Sequence, residues 1–449
     1  MKYYENYLLD NDFDVDYINF TGETDELYNY IEQQYGAKNN LHIIDPVDVL
    51  LQKRIDEFSS DYNQRVVYYE TPGFILTKNE LQEYMDKQHG KNKFFQHSFY
   101  LWFRKKLNIL MKGNKPIGGS YSFDKFNRKP IPGKDFNKFA NIDDVNYHKY
   151  KNDYYNEAID YCETTFKNHY PENYYPDNIR LYAVTHNDIK SHFRDFIDVK
   201  LKFFGEYEDA IDFNDVYLYH SVVSPQLNNG LITPNYIMDH VLDKYESNKN
   251  MLYDIEGYIR QLVWREYSRL IYLFARSEII ESNYFNNNKL LSEDWYTGNT
   301  TIKPIDLAIK TAFSYGYIHH IIRLMIMCNF MNLCGIHPND AYKWFMEFSL
   351  DSYDWVMTNN VYSMGMYSDG GLTTTKPYIS SSSYVVKMSN LKKDGDWDKI
   401  WTTLYYYFIY KNYDKLKGRG ALYLSQWDRQ KKKTEMIQVA ESFIDEITL

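Results

Sequence analysis

Two adjacent histidines and an arginine, His319, His320 and Arg323, sit inside the apolar run from Tyr315 to Met325. Leu307, Ile309, Phe313, Ile318, Ile322, Met325 and Phe330 keep that stretch hydrophobic, so its spacing predicts one largely buried helix. Arg323 falls one turn beyond the histidines, which lets the three polar heads share a face. Burying them costs free energy unless each finds a partner. The cluster is either a paired core network or the wall of a polar ligand site, and this segment alone slightly favours the network. Gln261 and Trp264 lie three residues apart on another helical pattern, with Arg265 adjacent. Plain core packing is at least as good a reading of Trp264. The stretch from Ser221 to Pro234 offers hydroxyls and helix starts at Ser224 and Thr233. Thr233 reads as an N-cap with Pro234 in the first helical position. Free N–H groups at such a start can hold a phosphate, although an ordinary capped turn is the commoner outcome.

The elements that must position these residues follow from pattern and composition. The chain has 449 residues, enough for two or three domains with a large core. Its net charge of −10 argues against a generally basic nucleic-acid coat but leaves room for a local basic groove. No apolar run is long enough to span a bilayer and no signal peptide opens the chain. Cys162, Cys328 and Cys334 fit neither a disulfide framework nor a zinc site, so no metal is expected. A soluble chain of the cytoplasm or nucleus is the reading. Tyr4 to Leu9 and Asp25 to Tyr35 read as helices, Val15 to Phe20 as extended, and Leu41 to Ile44 and Val66 to Tyr69 as buried strands. The predicted class is α+β with two domains. A truncated α/β, Rossmann-like domain spans residues 1–112, and an ordered crossover rich in Gly and Pro spans 113–150. A large all-α domain spans 151–449.

An ordered set of motifs narrows the function. It comprises Gly118-Gly119, Asn127-Arg128-Lys129-Pro130, Phe204-Gly205-Glu206-Tyr207-Glu208-Asp209-Ala210 and Gly257 to Tyr267. The His319-His320 segment, Ala341 to Phe345, Asp351 to Val356, Met364 to Gly371 and Lys376-Pro377-Tyr378 complete it. In this order and spacing the set resembles the photolyase/cryptochrome superfamily, most closely its deoxyribodipyrimidine photolyase-related branch. That branch contains the prokaryotic (6-4) photolyases that usually carry an iron–sulfur cluster. The resemblance implies an FAD-binding helical domain and light-dependent repair of UV-damaged DNA. It places Ser224 at the flavin phosphates and pairs Arg323 with Asp351 beside the flavin ring. Arg265, Tyr353 and Met357 join the cofactor site. It sets Gln261 and Trp264 against a flipped-out pyrimidine dimer, with His319 and His320 as catalytic histidines and His320 as general acid. Asp124, Arg128, Lys129, Tyr378 and Tyr384 then belong to the lesion-binding surface, and Tyr296, Trp344 and Phe345 to an electron relay.

Several positions depart from the family. The cluster cysteines fall near Pro304, Lys392, Gly395 and Lys399, none a cysteine, so no iron–sulfur cluster is expected. The family's first strands are absent, so no antenna chromophore is expected, and a separate polypeptide could complete the sheet. Met357 stands where the family has an acid facing flavin N5, and Phe345 stands in the relay where the family has a tyrosine. Arg323, Asp351, His320, Gln261 and Trp264 favour a repair enzyme. Met357, Phe345 and the shortened sheet favour a repair-inactive photoreceptor or a flavin-free scaffold.

Overall fold

A computed structural model describes residues 1–19, 26–36, 40–88, 94–130, 150, 152–166, 181–418 and 420–449. Half of the crossover, residues 131–149, lies outside these residues, as do Phe20 and Asp25. The N-terminal part contains one parallel strand pair, Leu41–Ile44 beside Val66–Tyr69, joined by the helix Val49–Asp61. Asp48 starts that helix by accepting from the Leu51 N–H at 2.8 Å. Both strands match the expected positions, but neither is buried; Ile44 is 57% exposed. Val15 to Asn19 form no strand, because no neighbour among the described residues takes up their backbone groups.

The chain then turns helical. Lys78–Asp86 begins with a capping box between Thr77 and Glu80, worth about 1 kcal/mol. With Gln96–Lys106 it contributes Leu81, Tyr84, Phe99 and Phe103 to the same core as the 29-residue helix Leu252–Ile280. That central helix is the spine of the molecule. The fully buried Arg104 donates to the carbonyls of Ile109, Leu110 and Tyr121, fixing the short hairpin that opens the crossover. Helix Leu201–Tyr207 lies against the spine at Gly205, where a Cβ would come 2.8 Å from the Asp254 Cα. Only glycine permits so close an approach.

The segment holding the two histidines is not one helix. Lys303–Tyr315 ends at Gly316, whose left-handed φ of 60° lets its N–H close on the Ala312 carbonyl at 2.7 Å. The Leu350 N–H then takes the Gly316 carbonyl at 2.9 Å. Tyr317 to His319 run without regular structure, and the helix resumes at His320. Apolar periodicity continues through this break, because both sides of it face the core. Two π-helical stretches follow, Ile322–Cys328 and Thr358–Gly365, packed on one another. Each inserts extra residues into a turn, a device that re-aims side chains at ligand sites. In the second core Trp401 packs on Phe330 at 4.7 Å, and its indole N–H bonds Ser380. The region of Pro304 and Gly395 is tied by Lys303 and Trp397, both bonded to Asp394. No helix among the described residues is long and apolar enough to cross a membrane.

Candidate functional site

A cavity of about 710 Å³ opens between the central helix, the His320 segment, the turns around Ser224 and Met357, and the loop from Lys376 to Ser380. This volume suits a cofactor-sized ligand. The loop is pinned from below: Asn329 donates to the Ser380 hydroxyl at 2.9 Å and accepts from its N–H at 3.2 Å.

On one wall Arg323 donates to Asp351 at 2.8 Å and to the Ile318 carbonyl at 2.6 Å, with its guanidinium 5.5 Å from the Tyr317 ring centroid. The second oxygen of Asp351 accepts from the Ser224 hydroxyl at 2.7 Å, and Asn228 bonds its carbonyl at 3.0 Å. The Ser224 hydroxyl therefore already serves Asp351. Ser224 begins a short helix, Ser224–Asn228, and Thr233 caps Pro234–Ser247, both at the expected helix starts. Arg265 lies across Phe74 and Trp355, 4.2 and 4.9 Å from their ring centroids. Burial pulls its pKa down to about 10, and its Nε finds no hydrogen-bond partner among the described residues. Met357 lines the cavity and is buried; Asn360, on the wall nearby, brings an amide that the sequence does not single out.

The opposite end is a charged network. Both oxygens of the buried Glu208 accept donors: Asn127 at 2.7 Å and Arg260 at 3.2 Å on one, and the Gln261 amide on the other. Burial pushes its pKa up, while Arg260 and these donors favour the carboxylate. Because a carboxylate only accepts, the Gln261 NH₂ is committed to Glu208 and its carbonyl oxygen is free for the cavity. Asp124 bridges Arg128 and Arg260. Trp264 stands beside Gln261, edge-on to Tyr267 at 5.5 Å. His320 reaches toward Asp209 at 3.5 Å with its side chain 41% exposed.

Some expected residues lie elsewhere. His319 is fully buried behind the wall, stacked on His220 at 4.8 Å, because the break after Gly316 turns it inward. Tyr353 is 38% exposed and off the cavity, since the next residue, Asp354, is drawn inward by Tyr272, Arg276 and Tyr342. Lys129 pairs with Glu206 on the surface. Tyr296, Trp344 and Phe345 do not line the cavity, and Phe348 packs against the first two, 5.9 and 4.9 Å from their rings. Tyr378, Tyr384 and Lys376 line it, as does Tyr423, which the sequence does not signal. Glu208 lies in a motif that carries the family likeness, yet its role depends on three partners distant in sequence.

A helix-lined cavity thus gathers a guanidinium–carboxylate couple and an aromatic–amide pair, an arrangement suited to a polar cofactor. The comparisons sharpen this. Residues 1–173 match the family model described as deoxyribodipyrimidine photo-lyase-related protein, and residues 258–406 match the FAD binding domain of DNA photolyase. A (6-4) photolyase of Agrobacterium fabrum is 30% identical over 414 residues, 90% of this chain and 78% of that one. The crystal structure of a class III photolyase from Agrobacterium tumefaciens superposes with a TM-score of 0.53 at 15% identity, covering 95% of this chain and 83% of the other. An uncharacterized protein of Acanthamoeba polyphaga mimivirus is 71% identical over 123 residues, 27% of this chain and the whole of the relative. The chain belongs to the photolyase/cryptochrome family as a photolyase-related protein, and it carries that family's FAD-binding domain.

Proposed function

We propose that this chain is a light-dependent DNA-repair flavoenzyme that binds FAD and acts on a flipped-out (6-4) pyrimidine photoproduct in UV-damaged DNA. The observation that carries the reading is the convergence on one cavity of Gln261, held by Glu208, with Trp264, the half-exposed His320 and the Arg323–Asp351 couple. The residues fit the cofactor: the cavity is large enough, and Arg265, whose buried Nε has no hydrogen-bond partner among the described residues, is one of the cations that line it. FAD, when bound and excited by light, supplies an electron donor. Arg323 holds positive charge at the wall, and Asp351 and Ser224 keep that guanidinium in place. Trp264 offers a plane for an extruded base, and the Gln261 carbonyl accepts from an N–H or O–H on its edge. His320, next to Asp209, holds a proton for a developing oxyanion.

A repair-inactive photoreceptor is the second reading, favoured by Met357 where the family has an acid facing flavin N5 and by Phe345 where its relay has a tyrosine. Two measurements separate the readings. The absorption spectrum of purified protein should show bound flavin. Blue light should then restore a (6-4) oligonucleotide, and His320→Ala should lower that rate by about 10²–10⁴-fold with flavin retained. Flavin binding without any light-dependent repair would leave the photoreceptor reading standing.

A further inference from the structure

We propose that His220, His319 and His320 form a binding site for one divalent transition-metal ion of the zinc or cobalt class. Their ring nitrogens all lie within 4.8 Å of one another. The ring centroids are 4.8, 5.4 and 6.1 Å apart. Three imidazoles on one tetrahedral ion, each bound at about 2.1 Å, hold their centroids roughly 5 Å apart. The nitrogens are close enough to meet on one ion once the stacked His220 and His319 rings turn toward it.

The second observation concerns unsatisfied nitrogen atoms. His319 is fully buried, and neither of its nitrogens has a hydrogen-bond partner among the described residues; the same holds for Nε2 of the buried His220. Leaving buried nitrogen atoms unpaired is unfavourable, so a missing partner is implied.

The surroundings select a cation. Glu208 and Asp209 lie next to His320 and repel an anion. An all-imidazole donor set suits zinc, cobalt or copper, whereas magnesium and calcium ask for oxygen. His220 and His320 both line the cavity, which gives the ion an entry path.

The test uses the full chain, stripped of metal by a chelator and titrated with Co²⁺ alone. It reads metal only, so its failure is distinguishable from a failure of the repair assay, although an ion on His320 would compete with the proton that the repair reading assigns to that ring. One Co²⁺ per chain with the intense visible bands of tetrahedral nitrogen coordination is expected. His220→Phe and His319→Phe should each weaken binding by more than the ~10–100-fold that loss of an outer-shell partner costs. Thermal unfolding of each metal-free variant checks that it folds. Should a variant fail to fold, electron paramagnetic resonance of the Cu²⁺-loaded native chain counts coordinated nitrogens directly. Three imidazole nitrogens support the site. Fewer than three, the absence of stoichiometric Co²⁺ binding, or binding that persists in the folded variants overturns it.

Discussion

Glu208 decides which atom of Gln261 faces the cavity. An amide is nearly symmetric in shape, and only its hydrogen-bond partner distinguishes the oxygen end from the nitrogen end. With its NH₂ held by a carboxylate, Gln261 presents an acceptor and selects a ligand edge that donates. Glu208→Gln keeps the shape but lets the amide turn over, because the new side chain both donates and accepts. Affinity for the damaged oligonucleotide should drop about 10-fold while affinity for undamaged DNA stays the same. Fluorescence anisotropy on the two duplexes measures both, and an equal loss on both would show that Glu208 only supports the fold.

At the scale of elements, the contact between helix Leu201–Tyr207 and the central helix sets the distance between Glu208 and Gln261. Gly205→Ala would force a methyl group against the Asp254 backbone, so it should cost about 1–3 kcal/mol in urea unfolding. The same junction carries a pH dependence. Burial pushes the Asp254 pKa up to about 7, against its usual 3.8, although its Oδ1 accepts from the Gly205 N–H at 2.9 Å. The folded state therefore binds the extra proton between these values. Its stabilising effect is complete below pH 3.8 and is lost as pH rises through 7. Asp254→Asn removes the titration and keeps the acceptor oxygen. It should stabilise the protein at pH 8 by on the order of 2 kcal/mol and have little effect at pH 4, as paired denaturation curves would reveal. The left-handed turn at Gly316 acts at this scale too, sending His319 into the interior and His320 to the cavity.

For the molecule as a whole, a net charge of −10 coexists with a cavity whose wall carries Arg128, Arg260, Arg265, Arg323 and Lys376 against Asp124, Glu208, Asp209 and Asp351. Local charge, not the total, meets a phosphate. Among these cations Arg128 and Lys376 are the exposed ones, placed to reach a backbone, so few counterions should be released on binding. The logarithm of Kd for damaged DNA should then rise with the logarithm of salt concentration with a slope of roughly 2–4, and Lys376→Ala should reduce it by about 1. A slope near ~8 would place the DNA on a different, wider surface.

Much of this protein can be read from the amino-acid order alone. Helix Glu26–Tyr35, strands Leu41–Ile44 and Val66–Tyr69 and the cap at Thr233 rest on periodicity and side chains within four residues of one another, so local chemistry decides them. The motif series likewise singled out Arg323, Asp351, Gln261, Trp264 and His320, all of which the fold brings to one cavity. Packing decided the rest. Nothing near His220 in the chain announces that it stacks on His319, and nothing near Glu208 shows that it orients Gln261. The outward turn of Tyr353 is also settled by residues far away in sequence, Tyr272 and Arg276, which draw Asp354 inward. The physical reason is that burial and pairing are properties of surfaces meeting in three dimensions. A residue's type limits the partners it can accept, but only the closed structure determines which partner arrives.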